Sequence, residues 1–334
     1  MTAARGRGAP RAPSPAHGQG PVLVLGETIV DLVREPGSGG AESDSFVPHL
    51  GGGPTNVSVV AARCGAPVAL AGGAGDDLWG RWLAERLRRE GVDLRFWSLV
   101  PGARTAVAFV VVDRDGVPGF LIYGEGIEPA VLSVGRVLEE AVRACSALVL
   151  GSNTMVGAEE RRLCLRARDL ALASGKPVLW DANLRLHRWP DPQAALELAR
   201  SLCSGAFLVK VNAEEARLLT GRRHPRRAAE ALHALGARVA LVTLGAGGAL
   251  LCGDVDASLP AEPASVVDTT GAGDALLGVL VAALSDAAFD PSALVAALPA
   301  AVAVAARSTE AFGALGALPE RIELALGRPL RRAR

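Results

Sequence analysis

An α/β fold, with a mostly parallel sheet covered by helices on both faces, follows from three features of this 334-residue chain. Short apolar runs, too short for helices, recur along it and read as buried strands. Helical stretches with apolar residues at three and four spacing lie between them, and such alternation builds parallel crossover units. Half of the residues are hydrophobic, enough to bury a substantial core.

The first strand is Pro21-Val-Leu-Val-Leu-Gly26. Similar runs follow at Val68–Ala71, Ala147–Leu150, Pro177–Trp180, Ala206–Lys210 and Val239–Thr243, with helical patterns such as Leu78 to Arg89 and Glu159 to Ala173. Residues 28–50 and 104–123 break the alternation with extended patterns, and Asp113-Arg-Asp-Gly116 is a hairpin signal between two of them. Strands without intervening helices predict a small antiparallel sheet, either a lid over a site or an edge extension of the main sheet. Residues 1–20, made largely of Ala, Gly, Pro, Arg and Ser, predict a disordered tail, and the Arg-rich ends (Arg5, Arg7, Arg11; Arg331, Arg332, Arg334) read as solvated. Residues 21–325 are expected to form a single domain.

Several function classes are disfavoured. Lys plus Arg equals Asp plus Glu at 35 each, so the chain lacks the positive field of a nucleic-acid binder. No apolar run approaches the ~20 residues that span a bilayer. Residues 1–20 have no apolar centre of a signal peptide, and the five cysteines are scattered without a C-x-x-C pair, so a reducing cytoplasm is expected. The five histidines do not pair at zinc spacing. A P-loop, a G-x-S-x-G elbow and a dinucleotide fingerprint after the first strand are all missing.

The strongest local signal is Asp268-Thr-Thr-Gly-Ala-Gly-Asp274, which runs into the almost wholly apolar Ala275–Leu284. That helix must be buried, which puts its N-terminus inside the protein. The amides of Gly271, Ala272 and Gly273 would then form an anion site reinforced by the helix dipole. Asp274 is placed to take a proton from a hydroxyl attacking a phosphate, or else simply caps the helix. The chain carries its own control: Gly73-Ala-Gly-Asp76 repeats the tetrapeptide before an amphipathic, heavily charged helix. A surface helix is expected there, with structural roles for Asp76 and Asp77.

Other candidates also fall at strand ends, where ligands of parallel sheets bind. In Gly51-Gly-Gly-Pro-Thr-Asn56, Gly52 and Gly53 allow close backbone approach and Asn56 offers a donor and an acceptor to sugar hydroxyls. Asp31, after Gly26-Glu-Thr-Ile-Val30, is suited to accept from vicinal hydroxyls or to act as a turn acid. Asp181-Ala-Asn-Leu-Arg185 and Asn212-Ala-Glu-Glu215 add polar groups, with Asn212 and Glu215 suited to hold magnesium through its waters unless Glu215 is a solvated helix acid. Thr243-Leu-Gly-Ala-Gly-Gly248 reads as a nucleotide-binding turn or a hairpin turn.

In this order the segments resemble the PfkB, or ribokinase-like, family of carbohydrate kinases, from about Val22 to Pro319, and within it the fructokinases. Asp181 to Arg185 followed by Trp189-Pro190 is similar to the fructokinase D-P-N-x-R…W-P, with Ala182 for the proline. The resemblance implies a three-layer α/β/α ribokinase-like core with a small β lid from about residues 32–49 and 102–127. It implies ATP-dependent phosphorylation of a primary hydroxyl of a small sugar, fructose favoured, with Asp274 as base and Gly271, Ala272 and Gly273 as anion hole; a kinase for ribose, 2-keto-3-deoxygluconate or a nucleoside, or a non-catalytic sugar-binding regulatory relative, is the alternative. Asp31, Gly52, Gly53, Asn56 and Arg185 would contact the sugar, and Asn212, Thr243, Gly245 and Gly248 the nucleotide. Glu215 would serve magnesium, and Asp268 and Thr270 a potassium ion. A homodimer through the lid is also implied. One position departs from the pattern: Gly124 stands where fructokinases and 2-keto-3-deoxygluconate kinases carry an Arg after the lid tyrosine, here Tyr123.

Overall fold

A computed structural model describes residues 20–36 and 44–324; the expectations for residues 1–19 and for the C-terminal arginines lie outside it. Strands β1 (Val22–Leu25), β4 (Val68–Gly75), β5 (Asp93–Val100), β8 (Ala147–Gly151), β9 (Val178–Asp181), β10 (Leu208–Asn212), β11 (Val239–Thr243), β12 (Ala249–Gly253) and β13 (Ala257–Leu259) form a nine-stranded sheet. Its order is β13-β12-β11-β10-β9-β8-β1-β4-β5, parallel from β11 to β5, with β12 and β13 antiparallel at one edge. The second sheet, β3-β2-β6-β7, comprises β2 (Ile29–Pro36), β3 (Asp44–Gly51), β6 (Val107–Val112) and β7 (Pro118–Tyr123). It is separate from the first and so is not an edge extension of it.

The helices are α1 (Gly53–Arg63), α2 (Leu78–Arg89), α3 (Ile127–Leu132), α4 (Leu138–Ala144), α5 (Ala158–Ala173), α6 (Pro192–Cys203), α7 (Ala213–Thr220), α8 (Pro225–Ala234), α9 (Ala272–Asp286) and α10 (Ser292–Ser308). Strand alternation divides the core between the two faces. Val22 and Val24 of β1 pack with α1, α2, α9 and α10, whereas Leu23 and Leu25 pack with α4, α5, α6 and α8. All of Asp274–Leu284 is buried, so the apolar run of α9 takes its N-terminus into the molecule, as its composition requires.

Both excursions into the second sheet leave from carboxyl ends of main-sheet strands. β1 ends at Leu25 and the chain turns through Gly26–Thr28 into β2; β5 ends at Val100 before β6. β3 returns through Gly51 and Gly52 into α1. The small sheet is thereby held at the edge where the polar motifs end. Among the described residues no helix is long and apolar enough to cross a membrane.

Candidate active site

Two glycine turns bring two helix N-termini together. Gly52 precedes α1 at φ 95°, and a Cβ there would stand 2.6 Å from the Glu27 carbonyl oxygen. Gly271 precedes α9 at φ 73°, and a Cβ there would meet that of Ala314 at 2.2 Å. Asp268 shapes the second turn: one carboxylate oxygen accepts from the Thr270 amide (2.8 Å) and hydroxyl (2.6 Å), the other from the Gly313 amide (2.9 Å).

Asp274, in the first turn of α9, does not act as its cap. Its Oδ2 accepts from Asn56 Nδ2 at 2.9 Å, across from α1. Burial pushes the Asp274 pKa up to about 6, with Lys210 opposing the rise and Asp181 adding to it. Asp31 is pushed further, to about 8, by burial and then by the nearby charges of Asp274 and Asp268. Asp31 Oδ1 and Asn56 Oδ1 are buried without a hydrogen-bond partner, although such atoms are nearly always paired.

These groups line one cavity of about 410 Å³. Asp31, Gly52, Gly53, Asn56, Arg185, Thr270, Gly271 and Asp274 all face it, so sequence positions from 31 to 274 converge. The small sheet gives it apolar lining, with Ile29 of β2 and Pro118, Phe120 and Ile122 of β7. The Arg185 guanidinium lies over the Phe120 ring at 5.6 Å and favours ionised Asp31 and Asp274.

The remaining candidates stand outside that lining. Ala272 and Gly273 open α9, where the first amides lack intrahelical acceptors, although Ala272 N lies 3.4 Å from Thr269 O. Asn212 and Thr243 are register partners at the carboxyl ends of β10 and β11. Asn212 and Glu215 form a capping box on α7, and Glu215 also accepts from the Leu184 amide at 2.7 Å. Glu215 is therefore a buried tie between β10 and the Asp181–Arg185 loop, not a solvated helix acid. Gly245 and Gly248 do belong to a hairpin, since β11 and β12 are antiparallel.

The repeated tetrapeptide behaves as its surface helix predicts. Asp76 is 37% exposed and pairs with Arg81 at 2.8 Å. Asp77 has its structural role as the N-cap of α2, accepting from Gly80 N and from Thr105.

Some side chains at the site had weak sequence signals. Asn183 lines the cavity at φ 32°, a left-handed conformation that only its motif hinted at. Asn153 also lines it, accepting from Arg188 at 2.6 Å and donating to the buried Glu27 at 2.7 Å, while Thr154 donates to the same carboxylate. Arg188 Nη2 lies 3.7 Å from where a Gly124 Cβ would be, so a guanidinium occupies the space beside the departing position. Lys210 pairs with Asp181 beneath α9; a lysine in the apolar strand Leu208–Val211 was the signal for it.

The chain as a whole is similar to known carbohydrate kinases. The profile of the pfkB family carbohydrate kinases matches residues 20–321. Fructokinase-1 of Zea mays is 33% identical over 92% of this chain and 98% of its own length. Fructokinase-1 of Oryza sativa is 33% identical over 91% and 96%. Among solved structures, a Vibrio cholerae fructokinase with fructose, ADP and calcium bound superposes with a TM-score of 0.76 at 28% identity, covering 90% of this chain and 96% of that one. An aminoimidazole riboside kinase from Salmonella enterica, with aminoimidazole riboside and an ATP analogue, gives 0.75 at 30% identity, covering 89% and 96%.

Proposed function

The chain belongs to the pfkB family of carbohydrate kinases and is a sugar kinase, and on that premise we propose that it transfers the ATP γ-phosphate to a primary hydroxyl of a small sugar, fructose being favoured. The observation that carries this reading is the meeting of Asp274, Asn56 and Asp31 in one cavity at the N-termini of α1 and α9.

Asp274 takes the proton of the attacking hydroxyl; a carboxyl pushed up to about 6 is both mostly ionised at neutral pH and more basic than an ordinary aspartate. The unpartnered oxygens of Asp31 and Asn56 accept from further sugar hydroxyls and fix which hydroxyl reaches Asp274. The Gly271–Gly273 turn and the α9 dipole meet the charge on the phosphoryl group. Arg185 and the Phe120 wall close the cavity on the side of the small sheet and exclude water.

Asn212, Thr243, Gly245 and Gly248 are our candidates for the nucleotide, on the carboxyl ends of β10 and β11. A magnesium ion held through its waters suits Glu215, whose oxygens accept backbone amides yet keep lone pairs for such waters. When bound, it neutralises phosphate charge. Asp268 likewise keeps acceptor capacity beside Thr270, which suits a potassium ion next to the turn; a related Vibrio cholerae fructokinase structure contains potassium.

A homodimer through the small sheet is part of the proposal. Phe46, Val111, Leu121 and Tyr123 are exposed on one face of it, and Phe46, Phe109 and Tyr123 form edge-to-face ring contacts there. A reducing cytoplasm, with the five cysteines as thiols, is the proposed compartment. The apolar wall of Pro118, Phe120 and Ile122 favours one second reading, a sugar bearing a planar substituent such as a riboside.

The test is ADP release with ATP, magnesium and potassium against fructose, tagatose, ribose, 2-keto-3-deoxygluconate and a riboside. Turnover on fructose above the others supports the reading. Turnover confined to the riboside would replace fructose with the second reading.

A further inference from the structure

Behind the turn that opens α9 lies an ion pair with no part in the steps above. Lys210 Nζ stands 2.9 and 2.8 Å from the two carboxylate oxygens of Asp181, and the side chains are 9% and 7% exposed. The pair is set by strand register, since Lys210 of β10 is opposite Asp181 of β9. A lysine held between both oxygens of a carboxylate at these distances is a charge-assisted, geometrically fixed pair. Stability gives little reason for such a pair, because well-packed apolar residues of similar volume often do as well.

Its placement gives a reason. A Cβ on Gly273 would stand 2.7 Å from Lys210 Nζ and 3.1 Å from its Cε. Gly273 is not among the glycines at positive φ, so its backbone is open to any residue. A side chain there would press on the ammonium that lies against the helix start.

We propose that Lys210, clamped by Asp181, is a positioning residue of the transfer step: packed against Gly273, its ammonium fixes the anion-binding turn and keeps a permanent positive charge behind it. The inference rests on the reading of residues 271–273 as the phosphoryl site. A low-dielectric position makes a fixed charge effective on a developing one, and the two bonds to Asp181 keep the ammonium from swinging towards another acceptor. No bond to Lys210 forms or breaks in this role.

The experiment is steady-state kinetics, at a pH well above the acid limb of turnover, on the paired variant Asp181→Asn with Lys210→Met, which removes both charges of the pair at similar volume. Melting temperature and fructose KM stay near those of the parent, while kcat falls about tenfold or more. A kcat within about threefold of the parent would overturn the proposal, because a purely structural pair is relieved by removing both partners. Gly273→Ala in the otherwise unchanged chain gives an independent reading. The new Cβ displaces the ammonium, so kcat falls with KM held, and an unchanged kcat overturns the proposal. Asp274→Asn is run beside them. Full turnover in that protein removes the site reading itself; loss there with parental turnover in the paired variant removes only the role of Lys210.

Discussion

Asn56 donates a 2.9 Å hydrogen bond to the Asp274 carboxylate, joining two helix N-termini whose residues are 218 apart in sequence. The bond orients the carboxylate that faces the cavity and stabilises its ionised form. Asp274→Asn keeps the size of the side chain and removes the base. A kcat loss of at least about 10²-fold is expected, with the melting temperature little changed. Stopped-time ADP assays check it; a loss below tenfold would mean that another group takes the proton.

Turnover should follow the ionisation of Asp274. With a pKa raised to about 6, the base is protonated and idle below that pH, so kcat/KM climbs as pH rises through about 6 and then levels. Asn56→Ala removes a donor that lowers this pKa, and the acid limb should move to higher pH. A pH–rate series on both proteins reads the shift. An unmoved limb would separate Asn56 from the base.

Asp31 should make stability fall with rising pH in the absence of sugar. Its folded pKa of about 8 lies above the ordinary 3.8 of an aspartate, so the folded state holds the extra proton. That contribution is fully present below about 4 and is lost as pH rises through about 8. Asp31→Asn should therefore raise the melting temperature at pH 9 relative to the parent and change it little at pH 4, while weakening sugar binding. Equal shifts at the two pH values would contradict the assignment.

Asp76 supplies a control within the same chain. It ends the same Gly-Ala-Gly-Asp sequence but pairs with Arg81 on the surface, so Asp76→Asn should keep kcat within about twofold and stability within about 0.5 kcal/mol. Asp77→Ala, which removes the α2 cap and its bonds to Thr105, should cost about 1–2 kcal/mol without altering KM. Urea denaturation and the ADP assay together distinguish the two positions.

Leu121 and Tyr123 are each 59% exposed on the apolar face of the small sheet. Leu121→Glu places a charge in the centre of that face and should turn a dimer into a monomer, because an unpaired charge buried at an interface is strongly unfavourable. Light scattering after size exclusion measures the mass. A parental chain that is already monomeric would dismiss the dimer.

Local chemistry made much of the scaffold legible. The apolar runs from Pro21 to Thr243 became strands, the Asp113–Gly116 turn joined β6 to β7, and the apolar Ala275–Leu284 run buried α9. Each depends on periodicity or turn chemistry within about ten residues, where sequence neighbours are also neighbours in space. The glycines at 52 and 271 were readable for the same reason, since a turn that needs positive φ selects glycine locally.

The order of strands and helices along the chain, and the polar turns at their ends, were therefore set locally. The tertiary structure decided which of those ends touch. Strand order and register put Lys210 opposite Asp181, and packing of α1 beside α9 put Asn56 against Asp274. It also left Asn212 and Glu215 bonded to each other and to the neighbouring loop. Such contacts follow from closing long loops around a shared core, and the stretch of chain between two partners carries no mark of where its ends will meet.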